Sequence, residues 1–303
     1  MIQSTAIIGM GALGLLYADR IVSGRGKSAV TFVLDKARMQ KYKDVEFTIN
    51  GVKKTFRMAV ADDMSPVDLI IVAVKYNGLR SAIEMMRNCV GENTIIVSVM
   101  NGIDSEEIIA DTFGKEHMIY TVAQGMDAMK FGNDLTYTKE GELRIGIVED
   151  SQRKNLEEVC SYFDDISMPY AVEDNIMKRM WSKFMLNVGV NQTCHAFETT
   201  YSGVLVEGSE ENRIFVGAMN EVIELSQAVG IGLTEEDARY YIDIISTLKP
   251  DGVPSMRQDG IAKRKSEVEM FAGTVRRLAG DYGIETPIND LLYDKIMEIE
   301  RDY

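Results

Sequence analysis

Apolar residues fall along this chain in two rhythms. Up to about residue 172 they come as short runs, and beyond it they recur every three or four positions. Residues 5–8 (TAII), 29–34 (AVTFVL), 67–74 (VDLIIVAV) and 95–99 (IIVSV) are nearly unbroken. Runs of that length read as strands buried on both faces, as in a parallel sheet. Residues 45–49 and 53–58 flank Asn50-Gly51 and predict a hairpin. Residues 118–123 predict a further strand, 125–133 a glycine-punctuated loop, and 135–138 with 142–147 an antiparallel pair about Glu140-Gly141. A helix over 152–163 and a short strand over 167–172 close this pattern, dividing the chain into domains of 1–170 and 171–303.

The second rhythm opens with residues 173–198, EDNIMKRMWSKFMLNVGVNQTCHAFE. With no proline and a single glycine, this stretch predicts one long helix, and Glu173 or Asp174 suits the positive end of its dipole. Ile176, Met180, Phe184 and Val188 form an apolar stripe. Beside it Lys183, Asn187 and Asn191 repeat at the same spacing, a polar row about 12 Å long. Residues 202–207 read as a break and 210–229 as a helix ended by Gly230. Thr234 caps a helix over 235–247, with Asp237 completing a capping box. The loop 249–258 carries two prolines, 259–282 predicts one helix stopped by Gly283, and 289–301 a last helix after Pro287.

Two places in this pattern carry chemistry. Gly9-Met10-Gly11-Ala12-Leu13-Gly14 follows the first strand and opens a helix over 15–22. Glycines so placed allow a tight turn and bring backbone close to a pyrophosphate on the helix N-terminus. Lys75 and Asn101 follow the runs 67–74 and 95–99, at strand ends where open α/β sheets bind ligands. After the second strand, Asp35 suits the ribose hydroxyls of NAD, while Lys36 and Arg38 suit the extra phosphate of NADP. In the helical half, asparagines inside an apolar helix are costly unless they bind something. Either Lys183 snorkels and the amides bond to a neighbouring element, or the row is a general acid beside a carbonyl clamp. Taken alone, Glu267 behind Lys263, Arg264 and Lys265 reads as a solvated charged face.

Composition narrows the partners. The 303 residues carry a net charge of −14, which argues against nucleic acid and anionic membrane. Cys89, Cys160 and Cys194 are scattered and odd in number, which fits a reducing cytoplasm. With only His117 and His195, a histidine-based metal site is not expected. The start of the chain runs into a strand without a signal peptide, and no apolar run is long enough to span a bilayer.

Taken together, these residues resemble the ketopantoate reductases (2-dehydropantoate 2-reductases) over nearly the whole chain. Gly9–Gly14 is similar to the family's GxGALG, and Lys75 and Asn101-Gly102-Ile103 resemble its lysine and NG corner. Trp181-Ser182-Lys183 with Asn187 and Asn191 is similar to its W-x-K-x-x-x-N-x-x-x-N helix. Pro254-Ser255-Met256-Arg257-Gln258-Asp259 resembles its PSMxQD loop, and Lys265-Ser266-Glu267 its R-T-E. The resemblance implies an α/β Rossmann-type N-terminal domain, an all-α C-terminal domain of the 6-phosphogluconate dehydrogenase-like kind, and an active site in the cleft between them. It implies reduction of ketopantoate to (R)-pantoate with NADPH, a step of pantothenate biosynthesis. Lys183 would be the proton donor and Glu267 would bind the cofactor ribose or orient Lys183. Asn187, Asn191, Ser255 and Asn101 would hold the small anionic 2-oxo acid. Gly9, Met10, Gly11, Ala12, Leu13, Gly14, Lys75, Asn101 and backbone at Ala128 would line the cofactor.

Three departures stand out. Asp35 replaces a common arginine and keeps NAD open as cofactor, Ala272-Gly273 replaces an N-G, and Tyr201 stands where some members have a further substrate asparagine. The alternatives are reduction of another branched 2-oxo acid, or a sensor that binds NADP(H) without turnover. The apolar helices of the second domain can pack on each other or on a second subunit, as in a homodimer.

Overall fold

The structure is a computed structural model that describes residues 1–303. It divides into two units, residues 1–101 with 105–176, and residues 102–104 with 177–303.

The first unit begins β1 (Thr5–Ile8), α1 (Ala12–Arg25), β2 (Val30–Leu34) and α2 (Lys36–Tyr42). Then come β3 (Phe47–Ile49), β4 (Val52–Lys54), β5 (Arg57–Val60), β6 (Leu69–Val72), α3 (Leu79–Met86), β7 (Ile95–Ser98) and α4 (Ser105–Phe113). It ends β8 (Met118–Gln124), β9 (Met129–Phe131), β10 (Asp134–Thr136), β11 (Glu142–Gly146), α5 (Arg153–Asp165) and β12 (Tyr170–Val172). The main sheet has the order β12-β11-β8-β7-β6-β1-β2-β5. From β5 to β8 every pairing is parallel, the order of a Rossmann sheet. The apolar runs are its inner strands, and every residue of β1, β2, β6 and β7 is buried. Ile8 pairs with Val72 and Val72 with Ser98, so the carboxyl ends of β1, β6 and β7 lie level along one edge.

The Asn50-Gly51 hairpin forms as expected. Ile49 pairs with Val52, and the two turn residues take φ of 48° and 77°, as a two-residue primed turn requires. Its second arm is shorter than expected: β5 leaves the hairpin and pairs in parallel with β2. The expected pair 135–138 with 142–147 does not form. β10 joins β3 and β9 in a small second sheet, while β11 joins β8 and β12. The connection is held instead by Asp127, whose Oδ1 accepts the N–H groups of Thr138 at 2.8 Å and Lys139 at 2.7 Å. A ladder across Glu140-Gly141 would need those donors.

The helices that follow are α6 (Ile176–Ala196), α7 (Tyr201–Val204), α8 (Glu210–Ala228), α9 (Glu235–Ser246), α10 (Ser255–Ile261), α11 (Thr274–Tyr282) and α12 (Pro287–Ile299). The stripe Ile176, Met180, Phe184 and Val188 is buried as its spacing predicts. Glu173 lies just ahead of α6, and its Oε1 accepts Nε of Arg144 at 2.7 Å. The expected break at 202–207 contains the short α7, opened by the Thr200 hydroxyl accepting Gly203 N–H at 3.4 Å. Thr234 and Asp237 form the capping box the sequence shows. At Gly189 a Cβ would lie 2.7 Å from the Met219 side chain, so this glycine sets how closely α6 and α8 pack.

The single helix expected over 259–282 is broken. α10 ends at Ile261, Lys263 takes φ of 50°, and the chain re-enters helix through a π-turn at Glu269–Gly273. Three causes are visible. The sequence places three cations in a row at 263–265. Arg264 folds back, its N–H to Asp259 O at 2.9 Å and its Nε to Asp259 Oδ1 at 2.8 Å. The Ser266 amide is taken by Glu300 at 2.8 Å. No helix is long and apolar enough to cross a membrane.

Candidate active site

The first unit presents its candidate residues through backbone. Gly9 has φ of 111°, and a Cβ there would lie 2.5 Å from the carbonyl oxygen of Ala73. A Cβ on Gly14 would fall onto the carbonyl oxygen of Gly9. Both glycines are therefore demanded by the fold. Gly11 is not: its nearest neighbour would be Ala73 O at 3.8 Å, an ordinary contact. Gly11 is exposed and is the N-cap of α1, which has no side-chain cap and no acidic residue in its first turn. The arrangement leaves backbone N–H groups and the positive end of α1 open to an anion at a point without a side chain. That is the fit a dinucleotide pyrophosphate requires.

Lys75 follows β6 and Asn101 follows β7, at the edge where the Gly9–Gly14 loop follows β1. Met10 is buried, and Ala12 and Leu13 are half-buried at the start of α1. Ala128 is half-buried in the loop between β8 and β9 and packs on the core. Asp35 caps α2, its Oδ1 accepting Arg38 N–H at 2.6 Å, and its other oxygen lies 3.2 Å from the Arg38 guanidinium. Lys36 pairs with Asp62 at 2.8 Å.

The second unit presents its candidate residues as side chains. On α6, Lys183 is half-buried, Asn187 is 9% exposed and Asn191 is 4% exposed. Asn191 and its neighbour Gln192 make an instructive pair. Gln192 Nε2 donates to Val188 O at 2.8 Å and to Asn289 Oδ1 at 3.2 Å, and its Oε1 accepts Ala272 N–H at 2.9 Å. Asn289 in turn reaches Glu221, which also accepts the Ile288 and Asn289 amides at the start of α12. The buried amide of Gln192 is thus structural and satisfied. Asn191 Oδ1 is buried and has no hydrogen-bond partner. Leaving a buried acceptor unpaired costs about 1–3 kcal/mol. Spacing sets Asn191 in the row with Lys183 and Asn187 and Gln192 in line with the apolar stripe, but only their partners show which amide is satisfied.

Ser255 is the first residue of α10, exposed behind Pro254, and α10 meets α6 where Gly260 lies against the His195 ring. Glu267 is half-buried just ahead of the π-turn, which is seated on α6 through Phe271 and Phe184, ring centroids 6.4 Å apart. Gly102, next to Asn101, has φ of 91°, and a Cβ there would be 2.9 Å from Met270 of that turn. Tyr201 holds the 250–252 loop, its N–H on Gly252 O and the Ser202 N–H on Pro250 O, both at 3.0 Å. Burial pushes its phenol up to about 12, and Cys194 adds to that shift. His117 Nδ1 lies 2.6 Å from Thr94 O, a structural contact. No group of three His, Cys, Asp or Glu gathers as a metal site.

A Rossmann sheet with this glycine loop, followed in the chain by a helical unit whose α6 carries a half-buried lysine in register with two buried asparagines, defines a class: the NAD(P)H-dependent oxidoreductases. Residues 5–150 match the family described as "Ketopantoate reductase PanE/ApbA", and residues 175–300 match "Ketopantoate reductase PanE/ApbA C terminal". The chain belongs to the ketopantoate reductase family. Among curated relatives it is similar to the 2-dehydropantoate 2-reductase of Halobacterium salinarum, at 26% identity over 97% of this chain and 98% of that one. The corresponding enzyme of Aquifex aeolicus is 23% identical over 96% and 95% of the two chains. A solved D-mandelate dehydrogenase with NADH and anilino(oxo)acetate superposes with a TM-score of 0.87 at 20% identity, covering 99% of each chain. The dimeric ketopantoate reductase of Staphylococcus aureus gives 0.80 at 21% identity, again over 99% of each chain.

Proposed function

We propose that this chain reduces ketopantoate to (R)-pantoate with NADPH, the product serving pantothenate biosynthesis. The observation that carries the reading is the unpartnered Asn191 oxygen, in register on α6 with Lys183 and Asn187. Such an atom suits a ligand hydroxyl or another polar hydrogen. A reduced nicotinamide supplies the hydride when bound, and the chain supplies alignment and the proton. Lys183 is the general acid: its ammonium stabilises the negative charge that builds on the 2-oxo oxygen, then gives that oxygen its proton. Asn187 and Asn191 hold the oxo acid along the row, and Ser255 and Asn101 hold its polar ends. Gly9, Met10, Gly11, Ala12, Leu13 and Gly14 bind the pyrophosphate. Lys75, Asn101 and the backbone of Ala128 line the nicotinamide side, and Glu267 takes the ribose or orients Lys183.

Two details bear on specificity. Asp35 sits after β2 and stays 40% exposed while pairing with Arg38, so NADH stands as a competitor to NADPH. Tyr201 places a half-buried ring where some relatives have a substrate asparagine, which favours a second reading, a 2-oxo acid whose substituent is more apolar than that of ketopantoate. The deciding experiment follows loss of reduced-nicotinamide absorbance with NADPH or NADH, using ketopantoate and phenylglyoxylate. The proposal expects the highest kcat/KM for NADPH with ketopantoate. A preference for phenylglyoxylate would replace the substrate, and cofactor binding without turnover of either would favour a sensor. The retained Lys183, Asn187, Asn191, Ser255 and Glu267 set argues against a sensor, which has no use for an acid.

A further inference from the structure

The row on α6 continues beyond Asn191. One turn further stands His195, fully buried, with neither ring nitrogen in a hydrogen bond. Its Nε2 lies 3.7 Å from Oε1 of Glu300, which is itself only 6% exposed in the turn after α12. That same Oε1 accepts the backbone N–H of Ser266 at 2.8 Å. Ser266 is buried and immediately precedes Glu267, and its hydroxyl accepts the Val268 N–H at 3.3 Å.

The segment carrying Glu267 is anchored at both ends. On one side Arg264 is tied to Asp259, and Gly260 lies against the His195 ring. On the other, the π-turn gives its Ala272 amide to Gln192. Between these anchors Glu300 takes the Ser266 amide from outside the segment. A buried carboxylate beside a buried imidazole is an expensive way to fill space, since apolar side chains would pack there at lower cost. Burial holds His195 below its ordinary pKa, with Arg257 acting in the same direction and Glu300, Asp259 and Glu198 against it.

We propose that Glu300 is a positioning residue for Glu267: by holding the Ser266 amide, with His195 packed behind its carboxylate, it fixes the turn that aims Glu267. This rests on the role given to Glu267 above. The test uses the full chain with Glu300→Ala and Glu300→Gln, reading backbone amide exchange over 264–268, thermal midpoint, and kcat and KM. Glu300→Ala should speed exchange at Ser266 and lower kcat, each by about tenfold, because small misplacements of a reacting constellation are costly. Glu300→Gln keeps an acceptor oxygen and should restore both to within about threefold. If the alanine variant does not fold, Glu300→Asp carries the same test, since it keeps the charge but withdraws the oxygen by one methylene.

A lowered midpoint with unchanged Ser266 exchange, or faster exchange with unchanged kcat, would overturn the proposal. Failure of the parent reading shows separately, as an unaltered chain that reduces no 2-oxo acid. Ser266 exchange and NADPH affinity then decide: Glu300→Ala must speed the exchange and weaken the affinity, and Glu300→Gln must restore both.

Discussion

The glycine loop of the first unit and the polar row of the second both depart from what packing alone would choose, in opposite directions. At Gly11 a side chain is missing where the fold has room for one. At Asn191 a polar atom is present where the fold gives it no partner. Each has a structural twin nearby: Gly14, whose missing side chain the fold demands, and Gln192, whose amide the fold satisfies. The comparison teaches that a motif mixes residues needed for folding with residues needed for a ligand. Local geometry separates them.

The largest expected effect lies in the polar row. Lys183→Ala should lower kcat by about 10²- to 10⁴-fold, the range for a positioned proton donor, while NADPH affinity stays near that of the unaltered chain. Steady-state rates and a fluorescence titration check both halves, and unchanged turnover would remove Lys183 from the acid role.

The glycine twins come next. Gly14→Ala should destabilise the chain by about 3 kcal/mol in denaturant unfolding, because its Cβ meets fixed backbone. Gly11→Ala should leave stability within about 0.5 kcal/mol, the range of an unstrained surface change. It should nonetheless weaken NADPH binding by at least about tenfold, since the added Cβ occupies the approach to the pyrophosphate. If the two variants behave alike, the distinction between folding glycine and binding glycine fails.

Glu106 sharpens the comparison from another side. It too is buried, with one oxygen unpartnered, yet it lies in neither motif. Burial, opposed chiefly by the Ser105 hydroxyl bond, pushes its carboxyl from 4.5 to about 7. The folded value is the higher one, so the folded chain keeps a proton that the unfolded chain releases. Its contribution is intact below pH 4.5 and is lost as pH rises towards 7. Glu106→Gln should therefore raise stability above pH 7 by on the order of 2 kcal/mol and flatten the dependence across that window. Thermal midpoints at both ends of the window decide it, and a parallel shift at the two would contradict the assignment.

What could be read from the sequence is what local physics decides. The parallel strands are legible as apolar runs because both faces are buried, and the α6 stripe because its spacing matches a helix. Gly9–Gly14 is legible because strand, turn and helix adjoin. The rest depended on distant partners. Nothing in 259–282 shows that Glu300 takes the Ser266 amide or that His195 meets Gly260, so the broken helix was hidden. Glu140-Gly141 looked like a hairpin turn, but Asp127 takes the Thr138 and Lys139 amides just before it. That Glu173, ahead of α6, also pairs with Arg144 of β11 was not legible either. In the site, the spacing gave Lys183, Asn187 and Asn191 one face, but that the Asn191 oxygen has no partner, whereas Gln192 is satisfied, is a fact of packing.

The most direct test of the account is Asn191→Leu, measured for stability and for KM of the oxo acid on the same preparation. If Asn191 serves a ligand, removing its unpartnered oxygen should leave stability unchanged or higher by about 1 kcal/mol, while KM rises by about tenfold or more. A chain that loses stability and keeps its KM would show that Asn191 is a packing residue, and that the row on α6 is structural.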